Sequence, residues 1–327
     1  MSLARTVKQL AGESSAGCEI SEREAHELFA AMLDGGVDAL ELGAVLALLQ
    51  ARGVTLAQLL GFCRALRERR FRLALPPTAA RPVVLASCAG TRDEPNLLPL
   101  LALALQRLGV PVLVHGALNS GGRLASAYVL RELGVMPCAH LTQVQARLDD
   151  EKLAFAPTAL LAPGLAELLA LKSRLGFDHA AQLLAKLLDP FDGEALLVVA
   201  AGGDQERGLL RELLQAWPCH ALLLEGTEGE AFANPRRRPR LEYLRAGAAD
   251  VLFEAEAAPL RNLSALPSAG DAASTAQWIR HALNGEAPLP LPLVNQIACC
   301  LYGAGYTDDL NQAKAIVAVG TRSLIAA

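Results

Sequence analysis

Chemistry is concentrated in three stretches of this chain. The first is the turn Asn119-Ser120-Gly121-Gly122, which follows the apolar run Val112–Val114 and precedes a helical stretch ending at Gly134. Backbone N–H groups at such a strand-to-helix turn point outward and the helix dipole favours an anion there, so the chemistry it offers is phosphate binding. The second feature is cationic. Arg236, Arg237, Arg238 and Arg240 form one run, Lys172, Arg174 and Lys186 a looser group, and Arg64, Arg67, Arg69, Arg70 and Arg72 a further run that reads as the polar end of a helix. Lys172 and Arg174 sit two apart and diverge around a helix, with Lys186 on the next one. If those helices line a cleft they make a channel suited to a sugar-phosphate backbone. For Arg236–Arg240, interrupted by Pro235 and Pro239, an exposed extended loop is expected. The third is Glu225-Gly226-Thr227-Glu228-Gly229-Glu230, read either as an exposed acidic turn or as carboxylates that reach a metal through water.

Hydrophobic spacing supplies the elements that must position these groups. Up to about Phe71 the pattern is helical throughout. Ser21-Glu22-Arg23-Glu24 is a capping box opening a helix with Ala25, Leu28, Phe29 and Leu33 on its apolar face. Gly35-Gly36 ends it, Asp38 and Thr55 open the next two helices, and Gly53 separates them. Leu73–Pro82 holds three prolines and reads as a linker. Strands at Val83–Ala86, Val110–Val114, Ala195–Ala200, Ala221–Leu224 and Val251–Glu254 then alternate with helices such as Asn96–Leu108 and Glu206–Trp217. Two helices, Pro163–Leu175 and His179–Leu188, follow one another with no strand between, and three close the chain from Ala272, Leu291 and Asp309. Alternation of this kind predicts an α/β fold with a mostly parallel central sheet.

Composition bounds the function. With 327 residues, 52% of them hydrophobic and 4% aromatic, the chain can bury a large core. No apolar run approaches the roughly 20 residues of a membrane span, and the N-terminal stretch lacks the apolar core of a signal peptide, so a cytoplasmic protein with no membrane partner is expected. A net charge of -4 argues against coating nucleic acid over the whole surface, though not against a local basic groove. Seven cysteines, odd in number and without ligand spacing, and six ungrouped histidines give no metal site.

The stretch from His115 to Gly134 resembles the second signature of the anthranilate phosphoribosyltransferase family, fitting it at His115, Gly116, Ser126, Ala127, Leu130, Leu133 and Gly134. Phe155-Ala156-Pro157, Leu175-Gly176, Leu183-Leu184 and Pro190 resemble further family segments. The resemblance implies a small discontinuous helical domain, residues 1–73 and 162–192, beside a larger α/β domain, residues 74–161 and 193–327. The family's glycine-rich diphosphate loop falls on Ala86–Gly90 and on Glu94–Pro99, where only Asn96 keeps its identity. Its magnesium-binding Asp-Glu pair falls near Glu225–Glu230, and its anthranilate-gripping arginine falls on Lys172. With those groups altered together, no catalytic residue is expected. A residual phosphate site would comprise Asn96, His115, Gly116, Asn119, Ser120, Gly121, Gly122 and Arg123.

Leu97–Ala102, Leu184–Leu187, Gly226–Glu230, Ala233-Asn234-Pro235 and Thr275–Trp278 resemble the divergent YbiB-type, nucleic-acid-binding subfamily. That likeness implies a homodimer, joined through the N-terminal helical domain, that binds nucleic acid (single-stranded, by the expectation here) without sequence preference. Lys172, Arg174, Lys186, Arg236, Arg237, Arg238 and Arg240 would make the contacts, with no cofactor. The alternative is phosphoribosyl transfer from phosphoribosyl pyrophosphate to an acceptor other than anthranilate, with Mg2+. Asp178, where the subfamily would place a basic residue, departs from the pattern.

Overall fold

The computed structural model describes residues 3–12, 20–258 and 266–323; Cys18 lies outside them. Contacts divide the chain into two units, Met1–Arg72 with Thr158–Pro190, and Leu73–Pro157 with Phe191–Ala327.

The first unit opens with α1 (Leu3–Ala11), α2 (Glu22–Leu33), α3 (Ala39–Arg52) and α4 (Leu56–Arg69). Local chemistry sets where two of them start. Ser21 Oγ accepts the Glu24 N–H at 3.3 Å while the Glu24 carboxylate accepts the Ser21 N–H at 2.9 Å. Thr55 and Gln58 repeat that exchange at the head of α4. Each box satisfies two N–H groups that a helix start otherwise leaves without partners. The apolar faces of α2 and α4 meet, with the Phe29 and Phe62 rings 4.9 Å apart.

The second unit begins with β1 (Val83–Ser87), α5 (Leu98–Arg107), β2 (Val112–Gly116), α6 (Ser126–Glu132), α7 (Leu141–Asp150) and β3 (Leu153–Pro157). The chain then completes the first unit with α8 (Thr158–Leu161), α9 (Pro163–Ala170), α10 (Lys172–Leu175) and α11 (Ala180–Ala185). It returns to the second unit with β4 (Leu196–Ala201), α12 (Asp204–Ala216), β5 (His220–Glu225), β6 (Leu241–Arg245) and β7 (Ala248–Phe253), followed by α13 (Ala272–Leu283), α14 (Leu291–Gly303) and α15 (Leu310–Ser323).

The strands form one sheet in the order β3-β2-β1-β4-β5-β6-β7. The first five are parallel, and β6 and β7 are antiparallel. The fold is therefore α/β with a mostly parallel sheet. One face of it carries Val83, Leu85, Val112, Val114, Leu196 and Val198 into a core shared with Leu98, Leu101 and Leu105 of α5 and Ile297 and Leu301 of α14. Full burial of each such side chain contributes about 1.5–3 kcal/mol, which is what anchors the loops at the strand ends.

The elements differ from expectation in several places. The helix expected from Asn96 begins at Leu98, because the Asn96 side chain is spent on neighbouring groups. The helix expected over Pro163–Leu175 is two, α9 and α10, and the second ends at Gly176 in the left-handed conformation (φ 78°). Strand β6 and helix α7 are additional, and β6 receives the chain directly after Arg236–Arg240.

Candidate functional site

The parallel strands β1 and β2 end side by side, with Ser87 opposite Gly116. Only glycine fits there, since a Cβ on Gly116 would lie 1.8 Å from the Ser87 carbonyl oxygen. The loop leaving β1, Cys88–Asn96, and the loop leaving β2, Ala117–Ala125, are consequently held together. They exchange backbone hydrogen bonds between Thr91 and Leu124 at 3.0 and 2.7 Å. Gly90 (φ 68°) allows this approach, as its Cβ would stand 2.8 Å from that of Ser120.

Into these loops comes the turn after β5. Glu230 is fully buried, and one carboxylate oxygen accepts the N–H groups of Ala89 (2.9 Å) and Gly90 (2.7 Å). Its other oxygen lies 3.2 Å from Ser126 Oγ. Ser126 in turn accepts from Ser87 Oγ at 2.7 Å and lies 3.1 Å from Asn96 Oδ1. Burial pushes the Glu230 carboxyl above its ordinary value, against hydrogen bonds from Ser87, Gly90, Ala89 and Ser126 that pull it down. Asn96 is also buried, and its Nδ2 donates to the Leu124 carbonyl at 2.9 Å.

Glu228 fills the neighbouring position. Its carboxylate accepts the N–H groups of Arg92 (2.9 Å), Asp93 (3.0 Å) and Glu94 (2.8 Å), and it pairs with Arg123 at 2.8 Å. Burial alone would raise its pKa; the N–H groups of Glu94, Arg92 and Asp93 together with the Arg123 charge bring it below the ordinary value. Arg123 also donates twice to the Gly90 carbonyl, at 3.1 and 3.0 Å. The acidic turn is thus not exposed, as one reading of the sequence had it: of its three glutamates only Glu225 faces solvent.

The same geometry tests the family's magnesium. Both carboxylates point at N–H donors, and Glu228 also at a guanidinium, whereas a cation needs oxygens free of such donors. The residues present do not fit the metal.

The remaining candidates are distributed as follows. His115 is fully buried with neither ring nitrogen partnered, and burial brings its pKa down to about 4. Asn119 Oδ1 accepts the Gly121 N–H at 3.0 Å, while Gly121 and Gly122 are exposed. In the first unit, Lys172 on α10 pairs with Asp178 at 2.6 Å, Arg174 is exposed, and Lys186 caps α11 half-buried. In the second unit, Arg236 reaches Glu94 at 2.8 Å, so it joins the loop that Glu228 holds. Arg238 pairs with Glu256 at 3.4 Å, and Arg240 with the buried Glu242 at 3.2 Å and with Glu254 at 3.7 Å. Arg237 is exposed and has no side-chain ion pair among the described residues. The arginine run, expected as a loose exposed loop, is in large part an ion-paired strap leading into β6. Sequence reasoning missed the Glu228 and Glu230 contacts, which no local pattern signals because their partners lie on the order of 140 positions earlier.

Residues 11–70 match the helical bundle domain of a glycosyl transferase family. The uncharacterized protein YbiB of Escherichia coli (strain K12) is 35% identical over 97% of this chain and 99% of its own length. The anthranilate phosphoribosyltransferase of Rhodospirillum rubrum is 26% identical over 94% of this chain and 89% of its own. Among solved structures, anthranilate phosphoribosyltransferase from Thermus thermophilus superposes with a TM-score of 0.79 at 23% identity, covering 99% of this chain and 95% of that one. Shared fold, shared helical bundle and near-complete alignment with YbiB together place the chain in the anthranilate phosphoribosyltransferase-like family that includes YbiB.

Proposed function

We propose that this protein binds single-stranded nucleic acid through its sugar-phosphate backbone, without sequence preference, on a phosphoribosyltransferase scaffold that no longer transfers. One observation carries the reading. The N–H donors of the loop after β1 are taken by Glu228 and Glu230, while Arg174 and Arg237 stand exposed without side-chain ion pairs among the described residues. Lys172, Lys186 and Arg236 add to these. The Lys172–Asp178 pair is exposed on both sides and is worth about 0–1 kcal/mol, so a polyanion can recruit Lys172. Arg238 and Arg240 contribute less, since Arg238 is itself only 21% exposed and Arg240 is held by the buried Glu242. Residues 1–73 and 162–192 act as one helical domain that carries the homodimer contact, to which the exposed Leu40 of α3 is suited. The protein works in the cytoplasm and needs no cofactor.

The test is a fluorescence-anisotropy titration of labelled oligonucleotides at several salt concentrations. Affinity falls steeply with salt, with a log-log slope of about -0.7 per phosphate neutralised. Few aromatics are present, so base stacking adds little and unrelated sequences bind alike. Lys186→Glu with Arg237→Glu weakens binding for every sequence and leaves the fold intact. Absence of binding at low salt, or unchanged affinity in the double variant, refutes the reading.

The family relationship supports a second reading, phosphoribosyl transfer to an acceptor other than anthranilate. Calorimetry with phosphoribosyl pyrophosphate and Mg2+ separates the two, and tight magnesium-dependent binding would favour the enzyme.

A further inference from the structure

We propose that the Thr227–Glu230 turn is an internal anion: its two carboxylates occupy, in the folded protein, positions built for the phosphates of a diphosphate, and they keep that site closed. The donor set is that of an anion receptor. N–H groups of Ala89 and Gly90 converge on Glu230, those of Arg92, Asp93 and Glu94 converge on Glu228, and the Arg123 guanidinium closes over Glu228. Consecutive backbone N–H groups in a turn form a concavity that takes an oxyanion, whether carboxylate or phosphate. Both oxyanions accept the same charge-assisted hydrogen bonds, so one can stand in for the other.

The turn is shaped for this task. Glu228 (φ 52°) and Gly229 (φ 91°) both lie in the left-handed region, and that places the two carboxylates on adjacent parts of one loop. Arg123 fastens receptor to occupant, because it donates to the Gly90 carbonyl on one side and to the Glu228 carboxylate on the other. This site is distinct from the Arg174 and Arg237 cations, and its occupation by carboxylates stands even if oligonucleotides fail to bind.

The experiment compares wild type with Glu228→Ala/Glu230→Ala, using inorganic pyrophosphate without metal as the probe. Calorimetry is read together with backbone amide resonances. The double variant is expected to bind at least about tenfold more tightly than wild type, the equivalent of one charge-assisted hydrogen bond. Its amide resonances at Ala89, Gly90 and Arg92–Glu94 should shift on addition. Should the double variant not fold, Glu228→Ala alone serves, since the Glu230 network stays intact. Inorganic phosphate should then shift the Arg92, Asp93 and Glu94 amides in that variant and not in wild type. Wild type binding pyrophosphate as tightly as the variant, or folded variants showing none of these shifts, would overturn the proposal.

Discussion

Glu230 and His115 are both buried titratable side chains, yet they differ in what they hold. Glu230 satisfies two N–H groups, that of Gly90 buried and that of Ala89 part-buried, so Glu230→Ala takes the partner from both. The expected loss is about 2–4 kcal/mol by urea denaturation, at about 1–3 kcal/mol per orphaned group with partial relief from water. Glu230→Gln keeps an acceptor oxygen and should lose much less. His115 holds nothing among the described residues, where neither ring nitrogen has a partner. Its folded pKa, about 4, lies below the ordinary 6.5. A base depressed in this way stabilises the fold fully above its unfolded value and loses that contribution as pH falls toward the folded one. The window is pH 6.5 down to about 4, with a ceiling on the order of 3 kcal/mol. His115→Leu removes no hydrogen bond, so it should cost under about 1 kcal/mol at neutral pH and flatten the acid limb of a stability-pH curve.

At the scale of elements, stability rests on local rules that the sequence displays and on close approaches that it does not. Thr55→Ala removes one half of a capping box and should cost about 1 kcal/mol in thermal unfolding. Gly116→Ala drives a methyl into the Ser87 carbonyl, where backbone on both sides is fixed in the sheet. It should cost at least about 3 kcal/mol, or prevent folding, as judged by soluble yield and circular dichroism. The box at Ser21, the helix start at Thr55, the glycine stop at Gly53 and the apolar strands were legible because neighbours within four residues determine them. Strand β6 was not, since Leu241–Arg245 is short and follows a charged run. Nor was helix α7, whose sequence is mostly polar. The carboxylate contacts were beyond reach for a different reason. Glu228 and Glu230 meet residues on the order of 140 positions earlier in the chain, a proximity that arises only once β1 and β5 share a sheet. Arg236, Arg238 and Arg240 read as free cations for the same reason, because Glu94, Glu254, Glu256 and Glu242 come to them through the fold.

For the whole molecule, the family and the α/β architecture could be read from motifs spread along the chain, whereas the state of the old diphosphate loop could not. The sheet order has a consequence for synthesis. β1 sits between β2 and β4, and its pairing partner Leu196 lies on the order of a hundred residues beyond Val83. A nascent chain that has emerged only through β3 can pair β1 with β2, but the other edge of β1 stays open. That edge, Val83–Leu85, is entirely apolar, the type of strand edge that recruits other chains. The ribosome must therefore add all of α8–α11 before the edge can close, and those helices belong to the other unit. A fragment ending at Pro157 should aggregate when expressed alone, while one extended through Glu225 should gain solubility, as measured by the soluble fraction after centrifugation. During translation this open edge is the point at which the chain is most exposed to misassembly, and a holdase chaperone would have its longest dwell there.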